Sequence, residues 1–310
     1  MRPTGTRWLA GARIMTARVM RAGILLAGIV SSPAGWLLAQ GASSPPILRV
    51  PVSVRAAGLG GAGVGISGDA SSVFLNPAGL ATIRHIAVEG TIQRYGDGTW
   101  ETMGAGAFRV LQFDLGGGYH YMRFGDSSAT RDNLSWVGSA VYRFGIIALG
   151  SSLRYVSEED SVGDVRRSGA VDGGIGIYLF DIMTLAFAVR NIGHWGVTGQ
   201  VLDMPLSSRL GFTFNFVDPQ ETARLLGTVE VAWTDGEPRR TMLGLEAGAV
   251  VGDVGLVARA GYGAIPEAPS DKHLSLGGGL VLTRVTIDYA WQPDANFGGD
   301  AHRLGLRLNL

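Results

Sequence analysis

The chain has 310 residues, enough for one large domain or two small ones, and 46% of them are hydrophobic. Its 48 glycines are roughly twice the ordinary globular share, and its charged fraction of 17% falls below the usual share of about 25%. The 26 basic and 26 acidic residues cancel, which removes the bulk electrostatic case for nucleic acid, and the absence of cysteine excludes disulfides, thiolate metal sites and cysteine nucleophiles.

Residues 1–42 read as a secretory signal. Arg2, Arg7, Arg13, Arg18 and Arg21 precede the apolar run AGILLAGIV at 22–30, and small residues follow it in SSPAGWLLAQGASS. Cleavage is expected between Ala39 and Ala42, and Met15 or Met20 could serve as the start of a signal of ordinary length. Nine uninterrupted apolar residues fall short of the about 20 that span a bilayer as a helix, and Pro33 follows them closely.

Residues 43–83 form a linker and a compact segment of different character. The stretch VRAAGLGGAGVGISGDASSVFLNPAGLA at 54–81 combines small residues that allow close backbone packing with Asp-Ala-Ser-Ser as a helix start, Asn-Pro as a helix stop and Gly79 as a turn. Such a segment could fold into the mouth of a barrel, with Arg55, Gly58, Gly60, Gly61, Asp69, Asn76, Pro77 and Gly79 as its candidate functional residues. Gly58, Gly60 and Gly63 also fit a GxGxxG phosphate loop. No adequate strand precedes them and no long helix follows, so backbone packing accounts for them better.

From His85 the chain alternates apolar and polar residues at period two, the pattern of a strand with two different faces. In the last segment Leu304, Leu306, Leu308 and Leu310 share one face, and Arg303, Gly305, Arg307 and Asn309 the other. Candidate strands fall at about 84–95, 100–109, 111–124, 133–144, 146–156, 168–179, 182–192, 205–217, 225–235, 239–251, 254–263, 272–282, 284–292 and 302–310. The predicted fold is all-β, a transmembrane antiparallel β-barrel of about fourteen strands over residues 84–310, placed in the cell outer membrane with its apolar face against outer-membrane lipid. An even count puts both chain ends on the periplasmic side.

Connections after even strands are tight (Val110; Gly145; Phe180-Asp181; Gly252-Asp253; Thr283), and those after odd strands are longer and polar, with VDPQETAR at 217–224 as the exception. Tyr119, Tyr121, Tyr155, Trp233, Tyr262, Tyr289 and Trp291 at one level, and Tyr142, Phe144, Tyr178, Phe214 and Phe216 at the other, are expected to form interfacial girdles. The polar faces would line the interior with Glu89, Asp172, Glu230, Glu246 and Asp288 among Arg154, Arg190, Arg209, Arg259, Arg284, Arg303 and Arg307. Opposite charges in a narrow lumen suit a structural ladder better than a transport path.

The histidines show no metal-binding spacing, no GxSxG elbow is present, and Glu158, Glu159, Asp160 and Asp164 read as a solvated loop rather than a calcium site, since Arg166 and Arg167 follow. The expectation is a non-enzymatic protein without cofactor or metal.

RAAGLGGAG, GDASSVFLNPAGLA and the terminal AHRLGLRL resemble the PorV/PorQ group of outer-membrane barrels, which is similar in architecture to the FadL-type transporters. The resemblance implies fourteen strands and an N-terminal segment in or under the lumen. It also implies a role in protein export or surface attachment through type IX secretion, with secreted cargo proteins as partners; the alternative is FadL-like passage of a hydrophobic small molecule through a lateral opening. The chain is shorter than PorV, and its last residue is Leu310 where an aromatic is usual, although an apolar terminus could still be read by the barrel assembly machinery.

Overall fold

The computed structural model describes residues 45–125, 128–180, 182–218, 222–265, 268–293 and 300–310. The expected signal, residues 1–42, lies outside them. Fourteen antiparallel strands close into one barrel in simple sequence order. They are β1 (Ile86–Arg94), β2 (Trp100–Val110), β3 (Phe113–Arg123), β4 (Thr130–Phe144), β5 (Ile147–Asp160), β6 (Val165–Leu179), β7 (Met183–Gly196), β8 (Ser207–Val217), β9 (Ala223–Thr234), β10 (Arg240–Val251), β11 (Val254–Ile265), β12 (Ala268–Leu282), β13 (Val285–Gln292) and β14 (Ala301–Asn309). Closure joins β1 to β14, with Glu89 opposite Arg307 and Gly90 opposite Leu306. Every strand thereby pairs on both edges, which is what lets a sheet cross hydrocarbon without orphaned backbone groups.

The predicted faces are observed. On β14 Arg303 is buried while Leu304 and Leu306 are each 54% exposed, and on β8 Gly211 and Thr213 point inward while Phe212, Phe214 and Phe216 point out. Aromatic pairs stack along the outer wall at both ends. Trp100 meets Tyr121 at 5.4 Å and Tyr119 meets Trp136 at 5.6 Å near the outer rim, and Phe113 meets Tyr142 at 5.2 Å near the periplasmic one. Tyr178 is a correction: it faces inward and donates its hydroxyl to the carbonyl of Ala78 at 2.7 Å. Its even position on β6, shared with buried Gly174 and Gly176, decides this.

Five tight periplasmic turns begin alike. Their first residues, Leu111, Gly145, Phe180, Gly252 and Thr283, have φ of 55°, 59°, 52°, 63° and 56°. Positive φ at the first turn position matches the twist of a two-residue hairpin. At Leu111, Phe180 and Thr283 the strand pairing imposes it on residues that do not favour it.

The core lies inside the barrel. Residues 45–83 are almost wholly buried there as a chain of short turns: a 3-10 turn Pro46–Leu48, a helix Val54–Gly58, a helix Ser72–Leu75 and a 3-10 turn Pro77–Thr82. The segment starts under the outer rim, where Ile47, Val50, Tyr95, Met122, Leu202 and Met204 form one cluster, and descends to Ile83 beside the foot of β1. The glycine excess has its explanation here. A Cβ on the inward positions Gly150, Gly174, Gly211, Gly244, Gly261 or Gly305 would come within 3.0 Å of this inner segment.

Candidate functional site in the lumen

The inner segment is shaped by its own caps. Ser53 accepts a hydrogen bond from Ala56 N at 3.1 Å and starts the helix that carries Arg55. Gly58 rides over Gly277, and Gly60 and Gly61 turn the chain with φ of 74° and 89°. Gly60 has a second reason to be glycine, since a Cβ would lie 2.6 Å from the backbone nitrogen of Tyr262. Asn76 ends one turn and caps the next, its Oδ1 accepting from Ala78 N at 3.1 Å while Nδ2 donates to Val64 O at 3.2 Å. Pro77 opens that second turn. Two expectations change. Asp69 does not cap a helix with its side chain, and Gly79 is no left-handed turn but a packing position whose Cβ would meet Ser72 Oγ at 2.8 Å.

Asp69 instead joins a belt of ion pairs across the lumen. Arg55 donates to Glu246 at 2.9 and 2.8 Å and to Asp69 at 3.0 Å. Arg307 donates to Asp69 and to Asp288, both at 2.6 Å, and Arg259 donates to Asp288 and to Glu246, both at 2.6 Å. Arg224 adds another bond to Glu246. Glu89 on β1 accepts from Ser71 N at 3.1 Å. Four arginines thus meet three carboxylates, and Arg55 and Asp69 are the members that tie the inner segment to the wall. Burial opposes ionisation of Asp69, but Arg307 and Arg55 outweigh it and hold its carboxyl below the usual carboxylate range.

The other predicted lumen charges form separate anchors. Glu230, fully buried, accepts Gly63 N at 2.7 Å and Val64 N at 2.8 Å, and pairs with Arg209 at 3.0 Å. Arg154 pairs with Asp172 at 2.6 Å and also donates to the carbonyl of Phe74 at 3.2 Å. Arg303 pairs with Glu101 at 3.0 Å and reaches the carbonyl of Pro51. Arg190 is buried at 7% exposure, with one long bond of 3.4 Å to Phe74 O. Arg284 is a correction: it is exposed in the turn between β12 and β13, outside the lumen, because β13 begins one residue later than its alternation suggests. Sequence reasoning missed Arg224, whose β9 starts inside the supposed loop, and Glu101, which its alternation with Met103, Ala105 and Ala107 could have revealed. At the loop acids, Glu158 pairs with Arg166 and Glu159 with Arg131, so both are already neutralised by arginines.

Small spaces remain on either side of the belt. A cavity of about 180 Å³ toward the periplasm is lined by Arg55, Ile66, Tyr178, Thr213 and Arg224, and spaces of about 40 and 30 Å³ lie under the outer loops.

Solved structures with this architecture include the Ralstonia pickettii toluene transporter TbuX (TM-score 0.58, 12% identity, covering 84% of this chain and 98% of that one). The CymD monoaromatic hydrocarbon channel gives a TM-score of 0.60 at 13% identity over 84% of this chain and 97% of its own, and the Pseudomonas putida toluene transporter TodX gives 0.56 at 12% identity over 82% and 97%. The fold is that of an outer-membrane β-barrel. No family model and no curated protein matches the chain. At these identities the likeness concerns the fourteen-stranded fold and does not show the PorV/PorQ assignment.

Proposed function

We propose that this protein is a non-enzymatic outer-membrane channel for small hydrophobic compounds, with residues 45–83 as the plug that gates it. The observation that supports this reading is the apolar cluster packed in the outer half of the lumen. Ile47 and Val50 of the inner segment pack against Met122, Phe124, Leu202 and Met204, above a charged belt that a neutral solute would not cross readily. Methionine side chains repack easily around an apolar guest. Next to this cluster the wall is irregular: pairing between β6 and β7 shifts twice between Gly169 and Gly173, and Asn191 and Gly193 adopt φ of 63° and 56°. A guest held above the belt would leave sideways through that seam into the bilayer. The fold likeness to the hydrocarbon channels favours this reading over export or surface attachment. So do the outer connections at 95–99 and 235–239, which offer little surface to a cargo protein.

Cells that express the protein in an outer membrane lacking other hydrocarbon channels should take up radiolabelled toluene faster than cells with an empty vector. Met204→Trp, which adds bulk to this apolar cluster, should return uptake towards the background. Uptake equal to the empty vector in the unmodified protein would overturn the reading.

A further inference from the structure

The two spaces under the outer loops share a wall of arginines. Arg49, Arg209, Arg240 and Arg303 line the space of about 40 Å³, and Arg49, Arg190, Arg209 and Arg240 line the one of about 30 Å³. Strand register puts these side chains together. Arg209 on β8 and Arg240 on β10 are both Cα partners of Ala232 on β9, whose small side chain stands between them. Arg190 on β7 is the partner of Ser207, two residues from Arg209.

Two carboxylates offset two of these arginines, and Glu237 also lines the smaller space. Glu230 serves Arg209 together with the backbone of Gly63 and Val64, and Glu237 pairs with Arg49 at 3.3 Å. Arg190 and Arg240 form no ion pair among the described residues. Arg190 lines the smaller space while more than nine-tenths buried, and its Nε has no hydrogen-bond partner among the described residues. A buried guanidinium without a counter-charge is unfavourable, and its planar fork of donors matches an oxyanion with two acceptor atoms. The spaces are small, which suits the compact head of an oxyanion.

We propose that Arg49, Arg190, Arg209 and Arg240 form a binding site for a small oxyanion of the phosphate or carboxylate type, reached from the outer side of the membrane. The site goes beyond the hydrocarbon reading, because a neutral hydrocarbon gives a guanidinium nothing to bind. The anion would be free in solution or the charged group of an organic molecule whose apolar part lies against Met242.

The test is calorimetric titration of the full barrel in detergent, at low ionic strength, with inorganic phosphate and separately with benzoate. Saturable binding of at least one of them is expected, weakened at least tenfold in Arg190→Gln and in Arg240→Gln. Both variants are checked for the heat-dependent gel mobility of an intact barrel. Arg240 is only partly buried at the start of β10, so its variant tests the site even if Arg190→Gln fails to fold. Binding of phosphate alone identifies a free tetrahedral anion, whereas benzoate displacing phosphate identifies the charged group of an organic acid. Absence of saturable binding of either anion, or affinity within twofold of the unmodified protein in every folded variant, would overturn the proposal.

Discussion

Replacing Glu246 with glutamine removes one negative charge from the centre of the belt while keeping the side chain's shape. Glu246 is completely buried and accepts hydrogen bonds from Arg55, Arg259 and Arg224. The glutamine amide keeps one acceptor oxygen, but its NH₂ group turns donors toward guanidinium donors. Charge-assisted hydrogen bonds contribute about 1.5–3 kcal/mol each. Removing one partner of a buried ion pair costs about 3–5 kcal/mol, because the opposite charge stays buried and uncompensated. The four arginines of the belt are then left with two paired carboxylates, Asp69 and Asp288, in place of three. The expected loss is therefore about 3–5 kcal/mol, read as a lower midpoint in urea titrations of the barrel folded into lipid vesicles. The strand ladder does not depend on Glu246, so the same variant should expose residues 45–83 to protease before the wall opens. Arg55→Gln should act on the same interaction, and the double variant should cost less than the sum by about 0.5–3 kcal/mol. A Glu246→Gln protein within about 0.5 kcal/mol of the unmodified one, the scatter of an ordinary surface change, with equal protease protection, would refute the belt as the anchor of the inner segment.

The remaining expectations concern the same architecture. Asp69 has its carboxyl held below the ordinary value of about 3.9, so its contribution to docking is fully present above that value and is lost as pH falls through the lower folded-state value; protease protection of residues 45–83 should be equal at pH 7 and 5, and loosening already in that interval would contradict the assignment. Leu306→Arg puts a charge on the lipid face and should destabilise by about 2–4 kcal/mol if its level is the bilayer midplane and less nearer an interface, measured by urea titration in vesicles. Gly60→Ala should cost about 1–3 kcal/mol from left-handed strain and more than Gly61→Ala, because only at Gly60 does the new Cβ run into wall backbone; the Cβ at Gly61 has nothing nearer than 3.6 Å. Deleting residues 54–81 should leave an inserted barrel that conducts ions more readily in planar bilayers, and unchanged conductance would count against the gating role.

Much of the wall was legible because a strand between two media records both of them at period two. Leu304 and Leu306 against Arg303 and Arg307 fix a lipid face and a lumen face before any pairing is known, and an even count of such segments brings the chain back to its own first strand. Turn chemistry was less legible. Gly145 and Gly252 announce their turns, but Leu111, Phe180 and Thr283 hold the same positive φ with no local signal, since the twist of the paired strands imposes it.

The site divides along the same line. Sequence alone marked residues 54–81 as small, glycine-rich and different from the wall, and it placed Glu246, Arg259, Asp288 and Arg307 on inward positions. It could not say which charges meet, because Arg55 and Glu246 are separated by 191 residues and come together only when the inner segment lies inside the barrel. Nor could it separate Tyr178 from the girdle or Arg284 from the lumen, where one residue of register decides the face. The arginine cluster is likewise a tertiary fact: Arg190, Arg209 and Arg240 sit on three different strands, and only the shared register around Ala232 and Ser207 gathers their charges at one place.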